Sequence, residues 1–246
     1  MKRFLNGVAL AIVALAIALI LPSLLPPMHA VPAQILLSQN INFKPPDVTA
    51  PNSRVAGTHR SGGCVKDVSI IPLIPKSNIG LTVAEMPTFL ADISSAATQE
   101  IEFALQTYDG KNNEVYQTTF KVEKPGIVEI DIPKKGDGKT SLQLNQPYQW
   151  SLSVPCNQDY SEDYLVTGFV QRIEPQPTLK ETLANPDRME LAIAYAKNGI
   201  WYDTISTLAQ MRRQAPDDPM LKAEWAQLLK SQKLEAVADK PLVQSF

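Results

Sequence analysis

Residues 100–122 read EIEFALQTYDGKNNEVYQTTFKV, and this stretch decides the fold class. Ile101, Phe103 and Leu105 alternate with other residues, which is the period of a β-strand with one buried face. The segment DGKNN at 109–113 is rich in turn-forming residues, and the alternation resumes after it. Two alternating runs on either side of such a turn predict a β-hairpin.

Further alternating runs extend this pattern beyond the hairpin. We expect strands at residues 88–93, 127–132, 148–154 and 166–173, all within a predicted β domain that covers residues 64–175. Short strands separated by turns are typical of sheets packed face to face. The sequence therefore predicts a mainly β fold, an antiparallel β-sandwich of the immunoglobulin or fibronectin type III kind.

One segment of this domain makes the prediction sharper. LQLNQPYQW at 142–150 resembles the turn into strand F of immunoglobulin-like domains. In those domains a tyrosine beside the corner hydrogen-bonds back to the preceding backbone. We expect Tyr148 to be this corner residue and Trp150 to lie in the core.

A helical period of 3.6 replaces the alternation in residues 178–246. TLKE at 178–181 has the form of a capping box, and Asn185-Pro186 is typical of a helix start. A second helix is expected from Trp201 to about Gln214, and a third after it. The segment resembles a single tetratricopeptide repeat. Because about three such repeats are needed for independent stability, the helices are expected to pack on the sandwich or on a partner.

The first 33 residues have the pattern of a secretory signal peptide. Lys2 and Arg3 precede a wholly apolar run at 8–21, and small residues follow, with a cleavage site after Ala33. The alternative is an uncleaved membrane anchor. Residues 34–63, rich in proline and glycine, are expected to form a flexible linker. Either reading places the folded part outside the cytoplasm, in the periplasm, a thylakoid lumen or the medium.

Cys64 and Cys156 are the two cysteines of the chain. In an exported protein, a pair of this kind is expected to form a disulfide. A bond that closes a loop of roughly 90 residues would stabilise the fold by about 4–5 kcal/mol on the chain-entropy model. Two cysteines with few histidines do not make a zinc site, so we expect neither a metal nor any other cofactor.

Four segments together resemble a family of exported cyanobacterial proteins catalogued as domain of unknown function nine-two-eight. They are RVAGTHRSGGC at 54–64, NIGLTVAEMPTF at 78–89, YQW at 148–150 followed by Cys156, and GIWYD at 199–203. The resemblance extends over residues 54–243. It implies export from a cyanobacterial cytoplasm and implies no catalytic residues.

Two groups of residues are candidate binding sites. Trp201, Tyr202 and Trp225 are large aromatics on the predicted helices, and such residues often anchor protein interfaces. They are candidates for partner binding, although helix packing is the simpler explanation. Arg54 and Arg60 lie in a glycine-rich segment whose amides could help to hold an anion.

Charge and motif content point to binding by protein contacts. The formal net charge of −2 argues against a nucleic-acid partner, which selects for a basic face. Without a catalytic constellation, we expect a non-enzymatic protein that binds another exported or membrane protein, with membrane contact only through an uncleaved N-terminus. Binding of envelope glycan or a small ligand by the sandwich loops is the alternative, and a hydrolase with an unusual carboxylate site is the third hypothesis. The sequence does not fix the oligomeric state.

Overall fold

The computed structural model describes residues 41–48, 50, 68–94, 100–134, 141–154, 164–184 and 187–246. Over these residues the chain is mainly β, with two mixed sheets and four C-terminal helices. The strands are β1 (Ile70–Pro72), β2 (Ile79–Thr82), β3 (Thr88–Ile93), β4 (Ile101–Thr107), β5 (Glu114–Phe120), β6 (Gly126–Asp131), β7 (Pro147–Val154), β8 (Tyr164–Arg172) and β9 (Leu242–Ser245). The helices are α1 (Pro177–Ala184), α2 (Arg188–Lys197), α3 (Trp201–Gln214) and α4 (Pro219–Ser231).

The hairpin predicted from residues 100–122 is present as β4 and β5. Ile101 pairs with Phe120 in antiparallel register, and the alternating residues of β4 are buried. The connecting loop turns through left-handed backbone at Gly110, where φ is 83°, and at Asn112, where φ is 50°. Glycine and asparagine tolerate these angles best, which is why DGKNN makes the turn.

The expectation of a purely antiparallel sandwich is wrong, because each sheet contains one parallel pair. The first sheet has the strand order β1-β3-β6-β9, and the second has the order β2-β8-β7-β4-β5. β2 pairs with β8 in parallel, and β9 pairs with β6 in parallel. Parallel neighbours require a long connection between them. In the first sheet the helices supply it, since all four lie between β6 and β9 in the chain.

The inner faces of the two sheets meet in an aromatic core. The rings of Phe89 on β3 and Phe103 on β4 lie 5.1 Å apart, and Phe89 lies 5.4 Å from Trp150 on β7. At the start of β7, the hydroxyl of Tyr148 accepts a hydrogen bond of 2.9 Å from the backbone N–H of Gln143. Trp150 therefore lies in the core, as predicted, and Tyr148 makes a hydrogen bond back to the preceding backbone.

The helical segment follows the predicted periodicity, but its first helices begin elsewhere. α1 starts at Pro177, so the TLKE segment lies inside its first turn rather than ahead of it. Asp187, not Asn185, caps α2, because its carboxylate accepts bonds from the backbone N–H groups of Met189 and Glu190. A carboxylate is a strong cap here because it also complements the positive end of the helix dipole. α3 has the predicted bounds.

Residues 41–48, predicted as part of a flexible linker, are packed against the helices. Ile41 and Phe43 are buried, and the backbone N–H of Ile41 donates to the carboxylate of Glu224 on α4 at 2.8 Å. The backbone N–H of Lys44 donates to the carbonyl of Ala196 at the end of α2. The apolar side chains at alternate positions explain the difference, since they bury surface that a polar tether would leave in water.

The strands and helices share one hydrophobic core. Residues 38–246 form one compact unit, so the predicted division between a β domain and a helical segment is a change of secondary structure within that unit. α3 packs against β2 and β3, and the C-terminal strand β9 returns to the first sheet. No helix in the described part of the chain is long and apolar enough to cross a membrane.

Candidate functional site

The aromatic residues predicted as partner anchors lie inside the core. Trp201, Tyr202 and Trp225 are between 0% and 1% exposed. A partner could not reach them without separating the helices from the sheets. In this conformation their contacts are internal, and they hold the helical layer onto the sandwich.

Tyr202 joins α3 to two neighbouring strands of the second sheet, β7 and β8, through its hydroxyl. The indole N–H of Trp150 donates to that hydroxyl at 2.7 Å, and the hydroxyl donates to the carbonyl of Phe169 at 2.9 Å. Burial raises the pKa of Tyr202 far above its usual value, so the hydroxyl stays neutral and keeps its proton to donate.

Two glycines leave the space that this contact needs. A Cβ atom at Gly80 on β2 would lie 2.6 Å from the ring of Tyr202. A Cβ atom at Gly168 on β8 would lie 2.7 Å from the ring of Trp150. Both distances are shorter than a Cβ atom can approach another heavy atom. The two strands therefore lie this close to the rings only because glycine has no side chain.

Asp203 connects the first turn of α3 to the end of β2. Its carboxylate accepts a hydrogen bond of 3.2 Å from the backbone N–H of Val83 and another from the hydroxyl of Thr82. Burial raises the pKa of Asp203 to about 6, although these hydrogen bonds act in the opposite direction. The group therefore titrates in a range where neighbouring surface carboxylates are already ionised.

The C-terminal turn of α3 carries two adjacent arginines with different environments. Arg213 forms an ion pair of 3.0 Å with Glu129, a buried carboxylate on β6. Burial raises the pKa of Glu129, while the charge of Arg213 lowers it. Arg213 is thus a structural partner that compensates a buried negative charge.

Arg212, by contrast, has no ion-pair partner among the described residues. Its guanidinium lies over the ring of Trp225, 4.8 Å from the centroid, and its Nε and Nη1 atoms are buried with no hydrogen-bond acceptor among the residues that the structure describes. The indole N–H of Trp225 likewise finds no acceptor in the described ranges. Burial lowers the pKa of Arg212, and the more distant charge of Asp239 partly offsets this.

A cleft of about 280 Å³ opens beside these arginines. Its other walls are Pro216, which follows α3, and Pro241 and Leu242, which lead into β9. The cleft therefore combines a cationic side with rigid apolar walls. We call it the Arg212 cleft.

A second cleft, of about 370 Å³, lies between α1 and α2. Its lining includes Thr182 on α1, and Glu190, Ile193 and Lys197 on α2. Here the charged groups carry both signs of charge. We call it the α1–α2 groove.

The remaining predicted site residues fall outside the described part of the chain. These are Arg54 and Arg60, proposed for anion binding, and Cys64 and Cys156, proposed as a disulfide. Within the described ranges, no cluster of three or more histidine, cysteine, aspartate or glutamate residues could hold a metal ion.

The sequence did contain a signal for Arg212. Trp201, Ile205, Leu208 and Arg212 recur at helical spacing, so the arginine continues the apolar stripe of α3. A charged residue in such a stripe indicates a buried or half-buried cation, which requires compensation. The cleft itself depends on Pro241, which is distant in sequence and could not be foreseen.

Comparison with known proteins identifies a family but no activity. The sequence model of the family described as Domain of Unknown Function (DUF928) matches residues 55–242, which confirms the resemblance noted from the sequence. No curated protein matches the chain. A family 76 glycoside hydrolase from a bovine Bacteroides thetaiotaomicron strain aligns with 74% of this chain and 43% of its own, at 12% identity and a TM-score of 0.27. A likeness that weak carries no argument about fold or activity.

Proposed function

The chain belongs to the Domain of Unknown Function (DUF928) family, and we propose that it is an exported, non-enzymatic binding protein with an interaction or assembly role. It would act at the cell envelope or in a membrane-bounded lumen. The basic, then apolar N-terminus supports export. The disulfide between Cys64 and Cys156 belongs to the same proposal. An intact mass that rises by two hydrogens on reduction would support it.

One observation carries the binding role. The Arg212 cleft and the α1–α2 groove are both formed by the helical segment and the tail that follows it. The helices bury their large aromatics inward, and among the described residues these two surface depressions offer the helical layer a place to meet another molecule. Concave sites with a few polar groups are the usual form of a binding site.

The finer description of the fold is part of the proposal. The hydrogen bond from Gln143 to the hydroxyl of Tyr148 supports an immunoglobulin-like corner. The short turns between α2, α3 and α4 support a tetratricopeptide-like arrangement. In both kinds of domain, binding of other proteins is common, which agrees with the proposed role.

The test is a cross-linking capture from native membranes with point variants of the full chain. Deleting residues 178–246 is unsuitable, because that change also removes the aromatics that complete the sandwich core. Glu190→Lys changes the α1–α2 groove, and Arg212→Gln changes the Arg212 cleft. Glu114→Lys, at an exposed position on β5, is the matched control.

We expect a partner protein that is captured by the wild type and by Glu114→Lys and is lost with Glu190→Lys or Arg212→Gln. All variants must retain the wild-type melting temperature within a few degrees. Equal capture by every variant, or recovery of glycan alone, would overturn the assignment to the helical layer. A catalytic turnover that a single polar substitution abolishes would overturn the non-enzymatic role.

A further inference from the structure

We propose that the Arg212 cleft is a carboxylate-binding subsite that receives the C-terminal end of a partner polypeptide. This inference rests on the proposed binding function and names the ligand chemistry of one of its two clefts. It concerns the guanidinium of Arg212, which forms no ion pair within the described part of the chain.

The charges around the cleft favour an anion with a single negative charge. Arg213 is already paired with Glu129 at 3.0 Å, so its charge is committed within the protein. Arg212 forms no ion pair among the described residues, and Asp239 acts on it only from a longer distance. One uncompensated guanidinium matches one carboxylate, whereas a phosphate dianion would bring an excess of negative charge.

The donors around Arg212 have no hydrogen-bond acceptor within the described part of the chain. Nε and Nη1 of Arg212, and the indole N–H of Trp225 beneath it, are three buried donors that make no hydrogen bond to any described residue. Buried donors of this kind are rare, because each costs free energy until an acceptor arrives. No hydrogen bond of Nε or Nη1 would have to break for the guanidinium to turn toward the cleft.

The walls of the cleft favour a chain end with an apolar last residue. Pro216, Pro241 and Leu242 present apolar surface on the sides that Arg212 does not occupy. The two prolines restrict the backbone, so the shape exists before a ligand arrives. A volume of about 280 Å³ suits a small side chain with its terminal carboxylate rather than a folded segment.

The experiment is a titration of the full-length protein followed by NMR of its arginine Nε–H and indole N–H signals. The probes are N-acetyl-Ala-Leu with a free carboxylate, the same dipeptide as its amide, N-acetyl-aspartate amide and inorganic phosphate. The amide removes the charge while keeping the apolar contacts. The aspartate derivative tests a side-chain carboxylate as the source. Arg212→Gln is compared with Arg188→Gln, an exposed arginine on α2.

We expect the free dipeptide to shift the Arg212 and Trp225 signals in a saturable manner. Loss of the carboxylate, or Arg212→Gln, should weaken binding at least about tenfold, because a bidentate charged pair is lost. Arg188→Gln should bind as the wild type does. Arg212→Lys should bind the free dipeptide almost as weakly as Arg212→Gln does. A lysine ammonium lacks the planar guanidinium that binds both oxygens of a carboxylate.

Several outcomes would overturn the inference. Equal binding of the acid and the amide would show that no carboxylate is recognised. Stronger binding of phosphate or of the aspartate derivative would assign the cleft to another anion. Partner capture that is lost with Arg212→Gln while all four probes fail to bind would leave the binding function standing and refute the chain-end chemistry.

Discussion

Replacing Tyr202 with phenylalanine tests whether its hydroxyl fixes the helical layer to the sheets. The ring and its contacts remain, and one oxygen atom is removed. That oxygen accepts from the indole of Trp150 at 2.7 Å and donates to the carbonyl of Phe169 at 2.9 Å. The change therefore leaves a buried N–H group without a partner and removes one bond from a carbonyl.

The magnitude follows from these two losses. An orphaned buried donor costs about 1–3 kcal/mol, and the second bond contributes about 0.5–1.5 kcal/mol. We expect Tyr202→Phe to lower the free energy of unfolding by about 2–4 kcal/mol in total. For a chain of this size, the melting temperature should fall by roughly 5–12 °C.

Tyr148→Phe is the matched control, because it removes the same atom from a single bond whose donor residue, Gln143, is exposed. The N–H of Gln143 can bind water once the hydroxyl is gone. Its cost should be about 0.5–1.5 kcal/mol. Urea unfolding followed by tryptophan fluorescence measures both variants.

A double-mutant cycle with Trp150→Phe isolates the direct bond. The double variant should be more stable than the sum of the two single losses predicts, by about 1–2 kcal/mol, since neither partner is then left alone. If Tyr202→Phe costs no more than Tyr148→Phe, or if the cycle shows no coupling, the hydroxyl does not hold the layers together and the reasoning is refuted.

Three further predictions concern other contacts of the same core. Gly80→Ala should destabilise by about 1–3 kcal/mol in urea unfolding, because the new methyl group overlaps the ring of Tyr202; an unchanged midpoint would contradict the packing. The folded-state pKa of Asp203 is raised from 3.8 to about 6. The protonated carboxyl therefore stabilises the folded state below about pH 4, and this contribution is lost as pH rises through about 6. Over that window the free energy of unfolding should fall by roughly 3 kcal/mol. Asp203→Asn should remove this part of the pH profile, and an unaltered profile would exclude the assignment. Phe246→Ala should cost about 1–3 kcal/mol by loss of the stack on Phe120, measured as a lower melting temperature.

Much of the fold was predictable because segments with a clear hydrophobic period are separated by residues that favour turns. β4 and β5 combine a period of two with a turn-rich loop, and the strands form within two residues of the expected bounds. α3 was bounded correctly because Gly199 ends the preceding helix in a left-handed conformation, with φ of 71°. In these places local preference and tertiary packing favour the same structure.

The missed strands are short and depend on distant partners. β1 has three residues and ends in a proline, and β2 is buried at all four positions, so neither alternates. β9 pairs with β6 only after the chain has passed through all four helices. A period of two does not develop in segments this short, and parallel pairing across such separations leaves no local signal.

The candidate site was only partly visible in the sequence. Trp201 and Tyr202 were correctly singled out as large aromatics, but pattern alone could not decide between an interface and the core. Their burial depends on Gly80, a residue on a distant strand that leaves room for the ring of Tyr202. Arg212 was recognisable as a charge in an apolar stripe, whereas the cleft beside it needed the position of Pro241.

The parallel pairing of β9 has a consequence for how the chain is made. In the chain, β9 follows β6 only after two further strands and four helices, so the edge of β6 has no partner on that side until β9 has been synthesised. The hydrogen bonds between the backbones of Phe246, Glu129 and Asp131 therefore form only after residue 246 has been synthesised. A premature stop codon or an exopeptidase that removes β9 would expose that strand edge to pairing with other chains. The presence of β9 therefore protects the edge of β6 from pairing with other chains.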